Sequence, residues 1–196
     1  MTVYYSLYGQ LLDINNLYKG FKKVKIAKGA AGIDGQSVGA FASNLEINLK
    51  QLQLELQSKQ YRAQPVRRVE IPKDDGGVRM LGIPAVRDRI VQQTLLNILQ
   101  PIFDIDFHPS SFGYRPKRSC HDAISKATVF IRKHHLDWVV DMDLSKCFDL
   151  LDHELIISSV KRKVTDGSIL KLINQFLKSG VMIGNNWEAS TVGSPQ

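Results

Sequence analysis

Apolar positions along this chain change their period several times, and each change marks an element. Leu7, Leu11, Leu17, Phe21 and Val24 recur at near-helical spacing and predict a helix before Lys28. A connector, KGAAGIDGQS, follows; Gly29, Gly32 and Gly35 with Asp34 make it turn-rich, and Ser37 is placed to cap the next helix. That helix carries Val38, Phe41, Leu45, Leu49, Leu52 and Leu56 down one face, a stripe that reads as core rather than function. From Pro65 the period becomes two. PVRRVEIPK alternates apolar and polar, DDGG supplies a hairpin turn, and VRMLGIP returns as the partner strand.

Beyond the hairpin a helix is predicted from Asp88, with Ile90, Val91, Leu95, Ile98 and Leu99 inward and Pro101 near its end. The irregular segment HPSSFGYRPKRS leads into a helix capped near Ser119, with Ala123, Ile124, Ala127 and Ile131 as its core side. DWVVDMDL bunches its apolar residues as a buried strand does, with acids at its exit. Short helices are predicted from Ser145 and His153. A longer one runs from Asp166, with Ile169, Leu172, Ile173, Phe176 and Leu177 inward, and ends at Gly180. VMIGNNWEASTVG reads as a last ribbon turning on Asn185 and Asn186. The class is α+β, with no internal repeat and no low-complexity tract.

Composition narrows the functional classes. The chain has 196 residues, 43% hydrophobic and 23% charged, which is enough apolar content for a core. Its net charge of +7 favours a polyanionic partner, although basic composition alone is shared by many unrelated proteins. Cys120 and Cys147 stand 27 positions apart, outside any Cys/His grouping, so neither a zinc site nor a disulfide framework is indicated. The opening MTVYYSLYGQLLDINN lacks the charged and apolar regions of a signal peptide, and no run of about 18 apolar residues occurs. A cytoplasmic location and no membrane partner are the expectations.

Three constellations carry candidate chemistry, each with a plain structural alternative. Asp141, Asp143 and Asp149 lie within DMDLSKCFD. Phosphoryl transfer onto a nucleic-acid chain gathers carboxylates at strand ends to hold magnesium; acids at a strand end also serve simply to solvate it. Arg67, Arg68, Lys73 and Arg79 ride on the hairpin, where cations grip phosphates or merely discourage edge pairing. SFGYRPKRS interleaves Phe112 and Tyr114 with Arg115, Lys117 and Arg118, which suits base stacking and phosphate pairing, or an ordinary turn with packed aromatics. The histidines are scattered; His134 and His135 decorate a helix end.

Taken in order, these segments resemble the opening blocks of group II intron reverse transcriptases, from about Lys28 to Gln196. KGAAGIDGQSV is similar to the family's extra amino-terminal block, which contacts template or intron RNA there. VEIPKDDGGVRMLGIPAVRDRIVQQTLL resembles the first reverse transcriptase block, SFGYRPKRSCHDAI the second and WVVDMDLSKCFDLLDH the third. The resemblance implies RNA-templated DNA synthesis with two Mg2+ ions. It selects Asp143, five residues before Phe148, as the catalytic, metal-binding aspartate, with the Leu144 carbonyl as a further metal ligand. It assigns Lys73 and Arg79 to the nucleotide triphosphate, and Phe148 to the sugar as a gate against a 2′ hydroxyl. VGSPQ is similar to the start of the block read as PQG, which sets Gln196 beside the nascent base pair. Arg67, Arg68, Tyr114, Arg115 and Lys117 are the template-binding candidates.

The implied layout is an amino-terminal extension over 1–36, fingers over 37–135 with the antiparallel ribbon, and the first part of a right-hand palm over 136–196. The implied partners are RNA template, intron RNA, DNA primer and deoxynucleotide triphosphates; a homodimer is compatible with the sequence. The family's Ala-Asp-Asp block comes well after PQG, and one aspartate cannot hold two ions, so this chain alone is expected to bind RNA without polymerising DNA. The rival reading is a non-catalytic RNA-binding or self-associating module that assists intron splicing. A metal-dependent nuclease would need a second carboxylate cluster, and the sequence has none of suitable spacing.

Overall fold

The computed structural model describes residues 2–195 other than Lys73 and Asp75. Its first apolar stripe forms two helices rather than one, α1 (Tyr8–Leu12) and α2 (Ile14–Ala27). The break is local chemistry: Asp13 turns its carboxylate onto the Asn15 amide at 2.8 Å and so caps α2 instead of continuing α1. The stripe itself is buried as its spacing predicts, at Leu7, Leu11, Leu17, Phe21 and Val24. The second stripe is divided in the same way, into α3 (Val38–Ser43) and α4 (Leu45–Gln57). Ser37 caps α3 through the Ala40 amide at 3.0 Å, and the Asn48 side-chain amide donates to the Phe41 carbonyl at 2.9 Å across the break.

The hairpin forms as predicted. Strands β1 (Val66–Pro72) and β2 (Val78–Ile83) pair antiparallel, Arg67 opposite Ile83 and Ile71 opposite Arg79. Helix α5 (Val86–Asp104) buries Ile90, Val91 and Leu95 and takes Pro101 into its last turns, while α6 (Cys120–His134) begins with a reciprocal Ser119–Asp122 capping box. After α7 (Cys147–Leu150), α8 (His153–Lys161) and α9 (Gly167–Leu177) come β3 (Val181–Ile183) and β4 (Asn186–Glu188), turning at Gly184 and Asn185. The two ribbons join. β3 lies parallel to β1, Val66 opposite Val181, giving one sheet in the order β2-β1-β3-β4.

Asp166 ties the start of the chain to this frame. Its carboxylate caps α9 at Ser168 and Ile169 and also accepts from the Leu7 and Tyr8 amides, both at 2.8 Å. Burial pushes its pKa up, but these four backbone donors outweigh burial and hold it below the ordinary carboxylate value. A bridge between Tyr4 and Val164 extends the same contact.

Contacts divide the chain into two compact units, Met1–Leu99 with Lys146–Gln196, and Gln100–Ser145. The second departs most from expectation. DWVVDMDL is not a buried strand: the segment has no regular secondary structure and no ladder, Trp138 is 96% exposed and Met142 86%. α6 likewise buries none of its residues, so Ile124 and Ile131 face outward instead of into a core. Periodicity reports which side of an element is apolar; a strand also requires a neighbour to bond, and none of the described strands pairs with this one. No helix among the described residues is long and apolar enough to cross a membrane.

Candidate functional site

In the larger unit the hairpin cations divide into two groups. Arg79 is exposed on β2. Arg68 is partly buried, and its Nε has no hydrogen-bond partner among the described residues. Arg67 is already engaged: its Nε and Nη2 both donate to the Ala31 carbonyl, at 3.1 and 2.9 Å. Arg89, from α5, donates to the neighbouring Ala30 carbonyl at 2.6 Å. Two guanidinium groups therefore hold the KGAAGIDGQS loop through the Ala30 and Ala31 carbonyls. Gly32 completes the docking, since a Cβ there would stand 2.5 Å from both Cα and N of Ala85. Lys73 lies outside the described residues.

A buried polar network supports the entry to β1. Asp88 is 1% exposed and accepts from the Tyr61 hydroxyl at 2.6 Å and the Gln64 amide at 2.9 Å. Burial raises its pKa, against the pull of these two donors and the Arg87 charge. Arg87 itself is paired with Glu55.

Within the smaller unit, Arg115 is spent on structure. All five of its N–H groups are taken: Nε and Nη2 by the Asp104 carboxylate, Nη2 again by the Asp104 carbonyl, and Nη1 by the carbonyls of His108 and Ser111. These hydrogen bonds hold the Asp104 carboxyl below its usual range. Its neighbours are available instead, Tyr114 at 99% exposure and Lys117 fully on the surface, both with left-handed backbone that throws the side chain outward. Asp141 and Asp143 are exposed, as is Leu144 at 74%. Among the described residues no three His, Cys, Asp or Glu side chains gather in a way that would hold a metal ion. Asp143 and the Leu144 carbonyl nonetheless offer the hard oxygen ligands that magnesium takes, a carboxylate or two with water and phosphate completing the shell.

The last constellation lies wholly in the larger unit and joins segments 40 residues apart. The Ser194 amide donates to the Phe148 carbonyl at 2.8 Å, and the Gly193 amide to the Leu151 carbonyl at 2.8 Å. Phe148, half exposed, is thereby fixed beside the turn that leads to Gln196, which is itself outside the described residues.

Residues 71–196 match the family described as reverse transcriptase (RNA-dependent DNA polymerase). The chain belongs to that family. Its relatives place it with the group II intron kind: Group II intron-encoded protein LtrA of Lactococcus lactis subsp. cremoris is 32% identical over 197 residues, 99% of this chain and 32% of LtrA. Putative COX1/OXI3 intron 2 protein of Saccharomyces cerevisiae is 31% identical, covering 94% of this chain and 21% of its own length. Protein YkfC of Escherichia coli K12 is 38% identical over 175 residues, 87% of this chain and 46% of YkfC. The chain thus spans less than half the length of each of these relatives.

The family match takes in β2, SFGYRPKRS, DMDLSKCFD and the Gly193 turn, while the docked loop precedes it. Sequence reasoning takes Asp88, His153 and Asp166 only as helix starts and passes over Arg89, so the long-range roles of these four residues are missed. Two weak signals existed, an arginine and an aspartate inside an otherwise apolar helix face. Their partners are 24 to 159 residues away, and no local pattern specifies those.

Proposed function

We propose that the protein to which this chain belongs is an RNA-directed DNA polymerase that adds deoxynucleotides to a primer on an RNA template. The ordered reverse transcriptase blocks, ending in an exposed Asp143 five residues before Phe148, are the observation that carries this reading. Asp143 and the Leu144 carbonyl would hold magnesium, which when bound neutralises triphosphate charge and acidifies the attacking hydroxyl. Lys73 and Arg79 clamp the triphosphate, so the primer 3′ hydroxyl meets the α-phosphate in line and pyrophosphate leaves. Phe148 and Gln196 shape the pocket around the incoming sugar and base. Arg67, Arg68, Tyr114, Arg115 and Lys117 are the template-contact residues in this reading; Arg67 also bonds the Ala31 carbonyl, and Arg115 also holds the loop that presents Tyr114 and Lys117. RNA template, intron RNA, DNA primer and deoxynucleotide triphosphates are the partners in this reading.

Assistance to intron splicing without synthesis is the second reading, favoured by the likeness to proteins named for introns and by the charge of +7. Asp143→Ala separates the two. In the full-length gene product the polymerase reading requires loss of primer extension on an RNA template, at least about a hundredfold, with RNA affinity retained. Primer extension at the unsubstituted rate would remove Asp143 from the site.

A further inference from the structure

His153 opens α8, is 5% exposed, and is absorbed by nothing in the polymerase reading. Its Nε2 lies 2.7 Å from the Gly193 carbonyl oxygen. A carbonyl only accepts, so Nε2 carries the proton and the imidazole is the donor. The bond closes a ring of three: Gly193 accepts from His153 through its carbonyl, donates to Leu151 through its amide, and is followed by Ser194, which donates to Phe148. Gly193 is itself buried, at φ +73°, and a Cβ there would stand 2.5 Å from the Asp149 carbonyl oxygen. The 148–153 segment and the 193–195 turn therefore meet backbone to backbone, with one imidazole as the side-chain fastener.

We propose that His153 is a positioning residue for the nucleotide pocket: it fixes the Gly193–Ser194 turn against the backbone of Phe148, and so sets the spacing between the two walls that receive an incoming deoxynucleotide. This rests on the assignment of Phe148 and Gln196 to that pocket. The physical reason is stiffness. Phe148 sits in α7, a helix of only four residues, and the turn contributes no strand among the described residues, so neither wall has a long helix or a ladder of its own to hold it. A donor supplied from the rigid start of α8 substitutes for that missing framework, and a buried hydrogen bond of this kind is costly to leave unmade.

The test uses His153→Leu, which keeps the volume and removes the donor, and His153→Gln, whose amide nitrogen reaches toward the Nε2 position. Gly193→Ala attacks the same junction from the other side. In hydrogen exchange on the chain itself, the proposal requires the Gly193 and Ser194 amides to lose protection in His153→Leu and Gly193→Ala and to regain it in His153→Gln. In primer extension by the full-length gene product, His153→Leu should raise KM for deoxynucleotides about tenfold and narrow discrimination against ribonucleotides, with kcat and template KM held within about twofold. His153→Gln should restore both. Phe148→Ala is the reference. If it relaxes sugar discrimination while His153→Leu leaves nucleotide KM unchanged, the positioning role is overturned and the pocket assignment stands. If neither variant changes discrimination, the pocket assignment falls, and the role of His153 with it. A uniform loss of kcat, template affinity and thermal midpoint in His153→Leu that Gln does not repair would reduce His153 to general stability and also overturn the proposal.

Discussion

Asp166 shows how much one carboxylate can organise. Four amides from two distant segments converge on it, so its ionised form is favoured in the folded chain and its pKa sits below the ordinary value. The sign follows from linkage: this stabilisation is present in full above the ordinary carboxylate value and is lost as pH falls through the depressed one. Asp166→Asn should therefore lower neutral-pH stability by about 1–3 kcal/mol and flatten the acid limb of the stability curve, read by denaturant unfolding across pH. Loss of stability that is equal at neutral and acid pH would show that the charge plays no part. The contrast between Arg115 and Arg68 belongs to the same scale. Both are arginines in basic motifs, but Arg115 has every N–H satisfied by Asp104 at the end of α5 and by the carbonyls of His108 and Ser111, whereas the buried Arg68 Nε has no hydrogen-bond partner among the described residues.

Among the elements, the 28–37 loop is the informative case. Its composition predicts turns, and turn-rich loops are ordinarily mobile; here Arg67, Arg89 and the Gly32–Ala85 approach fix it to β1 and α5. Preorganisation of this kind lowers the entropy cost of binding a template. Gly32→Ala forces a methyl group against the Ala85 backbone and should cost about 1–3 kcal/mol while weakening RNA affinity; equal RNA binding, measured by fluorescence anisotropy alongside thermal unfolding, would detach the loop from template contact. The sheet behaves similarly. Each ribbon was legible in period-two alternation and in its turn residues, but the parallel pairing of β1 with β3, 115 positions apart at Val66 and Val181, has no local signature.

For the molecule as a whole, charge and exposed apolar surface dominate. In the template reading, a net charge of +7 makes RNA binding depend on counterion release, so affinity should fall steeply, about tenfold or more between 50 and 200 mM salt, in filter-binding or anisotropy titrations. A flat response over that range would leave the electrostatic part of the template reading without support. The smaller unit, Gln100–Ser145, carries an α6 with no buried residue and an irregular, exposed DWVVDMDL, where the sequence pattern points to packed elements. Periodicity reports which side of an element is apolar and not what packs against it.

By itself the sequence determined most of the helices, the two ribbons, the Ser37 and Ser119 caps, the mixture of helix and sheet and the ordered blocks that mark the family, because helix periodicity, strand alternation and capping depend on residues a few positions apart. Tertiary structure alone decided that Arg67 and Arg115 serve loops, that Asp166 binds the start of the chain, that the two ribbons share a sheet, and that His153 meets Gly193. Each of those last choices is made by a hydrogen-bond donor or acceptor finding its complement across tens of residues, and only the folded path of the chain brings such pairs within 3 Å or so of one another.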